Sequence, residues 1–367
     1  MQDHLLTLNA GSSSIKYALF ARHDPAAPLL AGQVEGLRTR AAALTHSQAL
    51  QQVLARVGDA RVVAVGHRIV HGGTHFAEPT LIDDAVLQAI EALEPLAPLH
   101  QPHNVAGVRA AREAFPGVPQ VACFDTAFHH TQSEVNRRFA LPQALHDAGI
   151  QRYGFHGLSY ESIRDQLLAT DPQLAQARVV VAHLGNGASM CAMFDGRSVA
   201  TTMSFSPLDG LPMGTRCGRL DAAVVLHLLQ QGRSLDDVSR LLYRESGLLG
   251  LSGASSDMRE LLASHAPGAK LAVDYFVEHV LRELAGMSAA LRGIDGLVFT
   301  GGIGENSATL RARIVEGAGW LGMALDDPAN RAGAAAISAA GSAVRVLVMH
   351  TGEEAVIARH MARLLSS

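Results

Sequence analysis

The chain has 367 residues, 48% of them hydrophobic and 17% charged, the balance of a folded protein with room for two domain-sized cores. Thirty Lys and Arg against 34 Asp and Glu leave a net charge of −4, and aromatics are only 5%, so nothing calls for nucleic acid as a partner. Apolar runs fall short of a membrane helix, the start Met1-Gln2-Asp3-His4 lacks a basic signal region, and the widely spaced Cys123, Cys191 and Cys217 predict a reduced, cytoplasmic setting.

In chain order, residues 5–20 read as strand, turn and strand, with Asn9-Ala10-Gly11-Ser12-Ser13-Ser14 as the turn. Residues 21–60 are polar and Ala-rich and set no clear boundary. Short β-rich runs follow at 62–65, 118–124, 179–183, 297–300 and 344–349. Helical periodicity appears between them at 83–93, 105–115, 159–169, 221–231, 235–244, 270–291, 309–316 and 353–365. The alternation predicts α/β layers. Residues 5–13 and 179–189 echo each other, each running from an apolar strand through a Gly/Asn/Ser turn into a second strand. The echo predicts two related domains, each opening with a hairpin, facing one another across a cleft.

Three glycine turns could hold a phosphate. The first, Asn9–Ser14, offers backbone N–H groups and three hydroxyls shortly before Lys16, one of only two lysines in the chain. The second is 183–189. The third, 297–307, runs from a strand through Gly301, Gly302 and Gly304 into a helix. No G-x-x-x-x-G-K-[S/T] and no N-terminal G-x-G-x-x-G occurs, which disfavours a P-loop and a dinucleotide enzyme. Alone, the first turn is better read as an ordinary hairpin, the second carries the same ambiguity, and glycine loops like the third are common. His67, His71 and His75, and Asp125 with His129 and His130, invite a metal reading. Gly72-Gly73 breaks any helix that could align the first three, and ordinary core and surface histidines are the better account. Arg68 and Arg216, each flanked by glycines, can present a guanidinium fork to a carboxylate or phosphate.

Ten ordered segments make the chain resemble the acetate kinase family nearly end to end: LNAGSSSIKY (8–17), GHRIVHGG (66–73), APLHQPHN (97–104), FDTAFH (124–129), YGFHG (153–157), HLGNGAS (183–189), SPLDGLPMGTR (206–216), SSDMRE (255–260), FTGGIGENS (299–307) and TGEEAVIA (351–358). The resemblance implies two duplicated ribonuclease-H-like domains of the actin-like ATPase type with a nucleotide cleft between them. Residues 1–127 plus 353–367 would form an acyl- and phosphate-binding domain closed by the C-terminal helix, and 128–352 a nucleotide-binding domain. It also implies reversible, in-line transfer of the γ-phosphoryl group of ATP to acetate, Mg2+ (with Mn2+ able to substitute) and a homodimer.

Residue by residue, the resemblance places Asn9 and Glu353 at the metal and Ser12, Ser14 and Lys16 around the phosphates. Arg68 would bind the acetate carboxylate and the transferring phosphoryl group, with His156 and Arg216 on the developing charge. Asp125 matches the catalytic acid, handling a proton or positioning an arginine. Because acetate is already ionised, positioning is the better role. The nucleotide would meet His183, Leu184, Gly185, Asn186 and Gly187, then Asp257, Met258 and Arg259, then Gly302, Ile303, Gly304, Glu305 and Asn306. Val70, Leu99, Phe155 and Pro207 would line a pocket for the methyl group.

The chain departs from the family pattern at Gln101 and His103, at Leu158 and Tyr160, at Cys217 and Arg219, and at Gly352. These departures bear on acyl-chain choice and rate, so a kinase for propionate or another short carboxylate is the first alternative. A nucleotide-binding switch without turnover is the second, and Arg68, Asp125, His156 and Arg216 argue against it.

Overall fold

The computed structural model describes residues 2–11, 13–37 and 44–366. Ser12, one of the expected phosphate ligands, lies outside the described residues. The strands are β1 (Asp3–Ala10), β2 (Ser14–Ala21), β3 (Asp24–Glu35), β4 (Arg61–Ile69), β5 (Thr80–Leu81), β6 (Gln120–Phe124), β7 (Arg178–Leu184), β8 (Ala188–Phe194), β9 (Arg197–Thr201), β10 (Gly296–Thr300) and β11 (Arg345–Val348).

One topology occurs twice. The first sheet has the order β3-β2-β1-β4-β6-β5 and the second β11-β10-β7-β8-β9. In each, three antiparallel strands (β1-β2-β3; β7-β8-β9) continue into parallel strands (β4 and β6; β10 and β11). The fold is therefore the duplicated α/β architecture expected, and the echo between residues 5–13 and 179–189 marks corresponding hairpins. The chain divides into two units, 1–130 with 155–162 and 352–367, and 131–154 with 163–351.

In the first unit the pleat sorts β1 by parity. Leu6, Leu8 and Ala10, with Tyr17 and Leu19, share a core with Leu50, Val53 and Ala111 of the helices His46–Val57 and Gln101–Ala114. Leu5, Ala18 and Phe20 belong instead to a core with Val356, Ile357 and Met361 of the helix Glu353–Leu364. That helix reaches β4 only because residue 66 has no side chain, since a Cβ on Gly66 would stand 2.4 Å from Ile357 Cγ2. In the second unit the long helix Pro267–Leu291 buries Phe276, Val280 and Leu284.

The stretch that set no boundary in the sequence holds β3 and the helix His46–Val57. β3 is mostly exposed, lies at the sheet edge and carries Pro25 and Pro28, so its apolar pattern is weak. The helix did leave a mark, Thr45 and Gln48 as a reciprocal capping box.

Candidate functional site

In the first unit the candidates gather at the C-terminal ends of parallel strands, where open α/β sheets present their ligand groups. Arg68 on β4 is the register partner of Cys123 on β6. Asp125 lies two residues beyond Cys123, and its N–H donates to the Ile69 carbonyl at 2.9 Å, extending the ladder by one residue. Arg68 and Asp125 therefore share a face of the sheet. Nε of Arg68 donates to Asp125 Oδ1 at 3.0 Å and Nη2 to Oδ2 at 2.5 Å, a fork-to-fork pair. Asp125 is only 1% exposed. Burial lifts its carboxyl to about 6, against the opposing pull of Arg68. For Arg68, burial acts to lower the guanidinium, and Asp125 and Glu353 together more than reverse it, so it stays charged.

Two further oxygens flank the same guanidinium. Asn9 Oδ1 lies 3.4 Å from Arg68 Nη1, and Glu353 Oε2 lies 3.7 Å from Arg68 Nε. Glu353 also accepts a hydrogen bond from the buried Ser159 hydroxyl. The seat of Glu353 follows from Gly66, which admits the helix that Glu353 begins. Lys16 pairs with Asn9 across the β1–β2 hairpin, and the N–H of Gly11 closes its turn on the Ser14 carbonyl at 2.9 Å. His156 has a left-handed backbone, φ 58°, and the next N–H, of Gly157, donates to the Asp125 carbonyl at 2.9 Å. Of the acyl candidates, Val70 and Phe155 are buried, Leu99 is half-buried, and Pro207 belongs to the second unit.

The second unit carries a pocket of about 980 Å3. Gly185 and Asn186 reach it from the β7–β8 turn, Asp257, Met258 and Arg259 from the helix Met258–Ala263, and Gly302, Ile303 and Asn306 from the turn after β10. Thr300 pairs with His183 in the parallel β7–β10 ladder, so both glycine turns leave the same edge. His183, Leu184, Gly187, Gly304 and Glu305 are not on the lining. Leu184 is buried, and Glu305 turns back to accept from Gly301 N–H at 2.9 Å and Thr300 Oγ1 at 3.2 Å. Ser256, Leu262, Ala263 and Ser307 also line the pocket, and the sequence reading missed them. Leu262, one turn after Met258, could have been found from helical spacing. Asp257 caps its helix by accepting from the Arg259 N–H at 2.8 Å and pairs with the Arg259 guanidinium at 2.6 Å, hydrogen bonds that hold its carboxyl at about 2. Arg216 Nη1 donates to the Pro207 carbonyl at 2.9 Å, and the neighbouring Gly214 N–H donates to the Asn186 carbonyl at 3.0 Å.

The departures from the family pattern have structural partners. Leu158 fills the core against the C-terminal helix, and the fully buried Tyr160 ring packs edge-on to His129. Arg219 pairs with Glu283 at 3.0 Å, and the Gly352 N–H donates to Ser162 Oγ at 2.9 Å. Burial raises the Cys217 thiol to about 11. Gln101 bonds the backbone of His71. Burial lowers both His67 and His71 to about 4, leaving neutral rings tied to Gln120 and to the Gly73 N–H. Among the described residues no group of three or more His, Cys, Asp or Glu is placed to hold a metal by itself.

The profile of the acetokinase family matches residues 4–359. An acetate kinase from Methylocella silvestris is 51% identical, with 100% of this chain and 98% of that protein covered. Among solved structures, an acetate kinase from Porphyromonas gingivalis superposes with TM-score 0.90 at 33% identity, covering 99% of this chain and 100% of that one. A propionate kinase from Francisella tularensis superposes with TM-score 0.92 at 36% identity, covering 98% of each chain.

Proposed function

The chain belongs to the acetokinase family, and from that premise we propose that it moves the γ-phosphoryl group of ATP onto acetate, giving acetyl phosphate and ADP reversibly. The observation that carries the reading is Arg68, a guanidinium oriented by both oxygens of Asp125 at the strand ends. Acetate arrives deprotonated, so attack on phosphorus needs no strong base. The barrier lies in bringing two anions together, and preset donors lower it. Two N–H groups of Arg68 are spent on Asp125, and the others screen the acetate carboxylate and the transferring phosphoryl oxygens. Asp125, with both oxygens occupied by Arg68, orients that guanidinium and does not serve as a base in the transfer. His156 and Arg216 stabilise charge that develops in transfer. The strained backbone of His156 fits a ring held in one aim. The second-unit pocket takes the nucleotide, and Ser14 and Lys16 contribute to the phosphates. Val70, Leu99, Phe155 and Pro207 receive the methyl group.

The donor set fits a divalent cation brought in with the nucleotide. Two carboxylates, Asp125 and Glu353, face one guanidinium, leaving excess negative charge beside the neutral oxygen of Asn9. Oxygen donors, few of them from protein, suit Mg2+, which keeps most of its waters. Asn9 and Glu353 would hold it, and when bound it neutralises phosphate charge.

Two coarser features follow the same reading. The helix Ala222–Gln230 buries none of its residues, although Val224, Leu226 and Leu229 lie on it, which supports a homodimer that covers this face. Three free cysteines, two of them buried, suit a reducing cytoplasm.

Trapping with hydroxylamine tests the reaction. With MgATP and acetate, acetohydroxamate should accumulate in step with ADP. Nucleotide binding without hydroxamate would support a non-catalytic switch instead. The likeness to a propionate kinase supports one second reading, in which propionate outcompetes acetate in kcat/KM across a chain-length series.

A further inference from the structure

β4 ends at Ile69, yet the four residues that follow keep their backbone donors satisfied, and side chains do it. The Val70 N–H donates to Asn104 Oδ1 at 2.9 Å, and the His71 N–H to Gln101 Oε1 at 3.2 Å. The Gly72 N–H donates to Thr126 Oγ1 at 3.0 Å, and the Gly73 N–H to the His71 ring at 2.9 Å. Gln101 also donates Nε2 to the His71 carbonyl at 3.0 Å and to the Ile90 carbonyl at 3.1 Å. Asn104 donates Nδ2 to the Ala10 carbonyl at 2.8 Å. Both amides have one admissible orientation, because a flip would set oxygen against carbonyl oxygen.

Gln101 and Asn104 stand three apart in the first turn of the helix Gln101–Ala114 and are almost wholly buried, at 0% and 3% exposure. Gly107 seats that helix against β1: a Cβ there would come 2.7 Å from the Ala10 Cβ. The same turn begins just after Leu99, and the Gln101 N–H donates to the Ala97 carbonyl at 2.9 Å. Gln101 therefore fixes two assigned acyl residues at once. It carries Leu99 on its own segment and grips, through both N–H and C=O of His71, the residue next to Val70.

We propose that Gln101 is a positioning residue that sets the depth of the acyl site, with Asn104 fixing the same loop to the end of β1, so that this amide pair determines acyl-chain choice. The proposal rests on the assignment of Val70 to the acyl site. A side chain of the same length without the amide offers nothing to the His71 N–H, the His71 carbonyl or the Ile90 carbonyl. The 70–71 backbone then relaxes away from the acyl group.

The test is Gln101→Met, which keeps the length of the side chain and removes its donor and acceptor, with Gln101→Leu as the second variant should the first not fold, and Val70→Ala alongside. Steady-state kinetics are read for acetate, propionate and ATP. The expected result is an acetate KM raised by about 5- to 20-fold, an unchanged ATP KM and a propionate-to-acetate kcat/KM ratio raised by about the same factor. A folded variant with wild-type acetate KM and ratio, while Val70→Ala shifts the ratio, overturns the proposal and leaves the acyl assignment standing. A fall in kcat shared equally by both acids, with KM values unchanged, also overturns it, because a structural role alone produces that. An unchanged ratio in Val70→Ala as well removes the acyl assignment and the proposal with it.

Discussion

Arg311 holds Asn330 by both ends: Nε donates to Asn330 Oδ1 at 2.8 Å and Nη2 to the Asn330 carbonyl at 2.9 Å. Its remaining nitrogen, Nη1, donates to the carbonyls of Gly304 at 2.9 Å and Glu305 at 2.7 Å. The side chain is 2% exposed, and no ion pair reaches it among the described residues. A buried cation satisfied by carbonyl oxygens alone is retained for position. Here it fixes the end of the short helix whose Gly302, Ile303 and Asn306 line the pocket of the second unit, the proposed nucleotide site.

Replacing Arg311 with Met should therefore raise the KM for ATP while leaving the acetate KM unchanged. Four carbonyl partners lose a charged donor, so chemical denaturation should show a loss of about 3 kcal/mol. A variant as stable as wild type with unchanged ATP KM would show that the helix end holds itself.

The Arg68–Asp125 pair sets a pH dependence. With Asp125 raised to about 6, protonation below that value releases one arm of Arg68. kcat/KM for acetate should fall as pH drops through about 6, and Asp125→Asn should lose that limb along with most of the activity. The sign for stability is opposite. A carboxyl whose folded value lies above its ordinary 3.8 favours the fold below 3.8, and that contribution is lost as pH rises to about 6. A pH–rate profile of the wild type, flat from 5 to 8, would separate Asp125 from catalysis.

Glu353 reaches Arg68 at 3.7 Å and is held by Ser159. Glu353→Gln keeps the shape and removes the charge. The Mg2+ concentration for half-maximal rate should rise, by about tenfold for one lost anionic ligand, with thermal unfolding unchanged. An unaltered magnesium titration would leave Glu353 only its favourable place in the first turn of a helix.

Val70 is 5% exposed in the first unit. Truncation to Ala makes room for one methylene, worth about 1–3 kcal/mol in an apolar site. Wild type should prefer acetate, accept propionate and take butyrate poorly, and Val70→Ala should raise propionate relative to acetate. A chain-length series in which the variant tracks the wild type would dissociate Val70 from the acyl group.

Much of this was legible in the chain. The buried strands of both sheets announced themselves through β-rich runs, and the hairpin echo gave the duplication, because buried strands must be apolar whatever their neighbours. β3 stayed hidden since an exposed edge needs no such pattern. Arg68 and Asp125 were readable as residue types beside glycines. Their bidentate pairing was not, because it depends on β4 and β6 lying side by side with 50 residues of chain between the end of β4 and the start of β6. Glu353 likewise needs Gly66, far away in sequence, before it can stand beside Arg68. Gln101 looked like a deviation in a motif, and only the backbone of His71 gives it a purpose.

The most direct test compares kcat/KM for acetate between wild type and Arg68→Ala at saturating MgATP, by hydroxamate trapping. With Arg68 proposed to screen both anions during transfer, kcat/KM should fall by about 10³-fold or more, with nucleotide binding and the fold retained. An Arg68→Ala protein that keeps its kcat/KM within tenfold of wild type would contradict it.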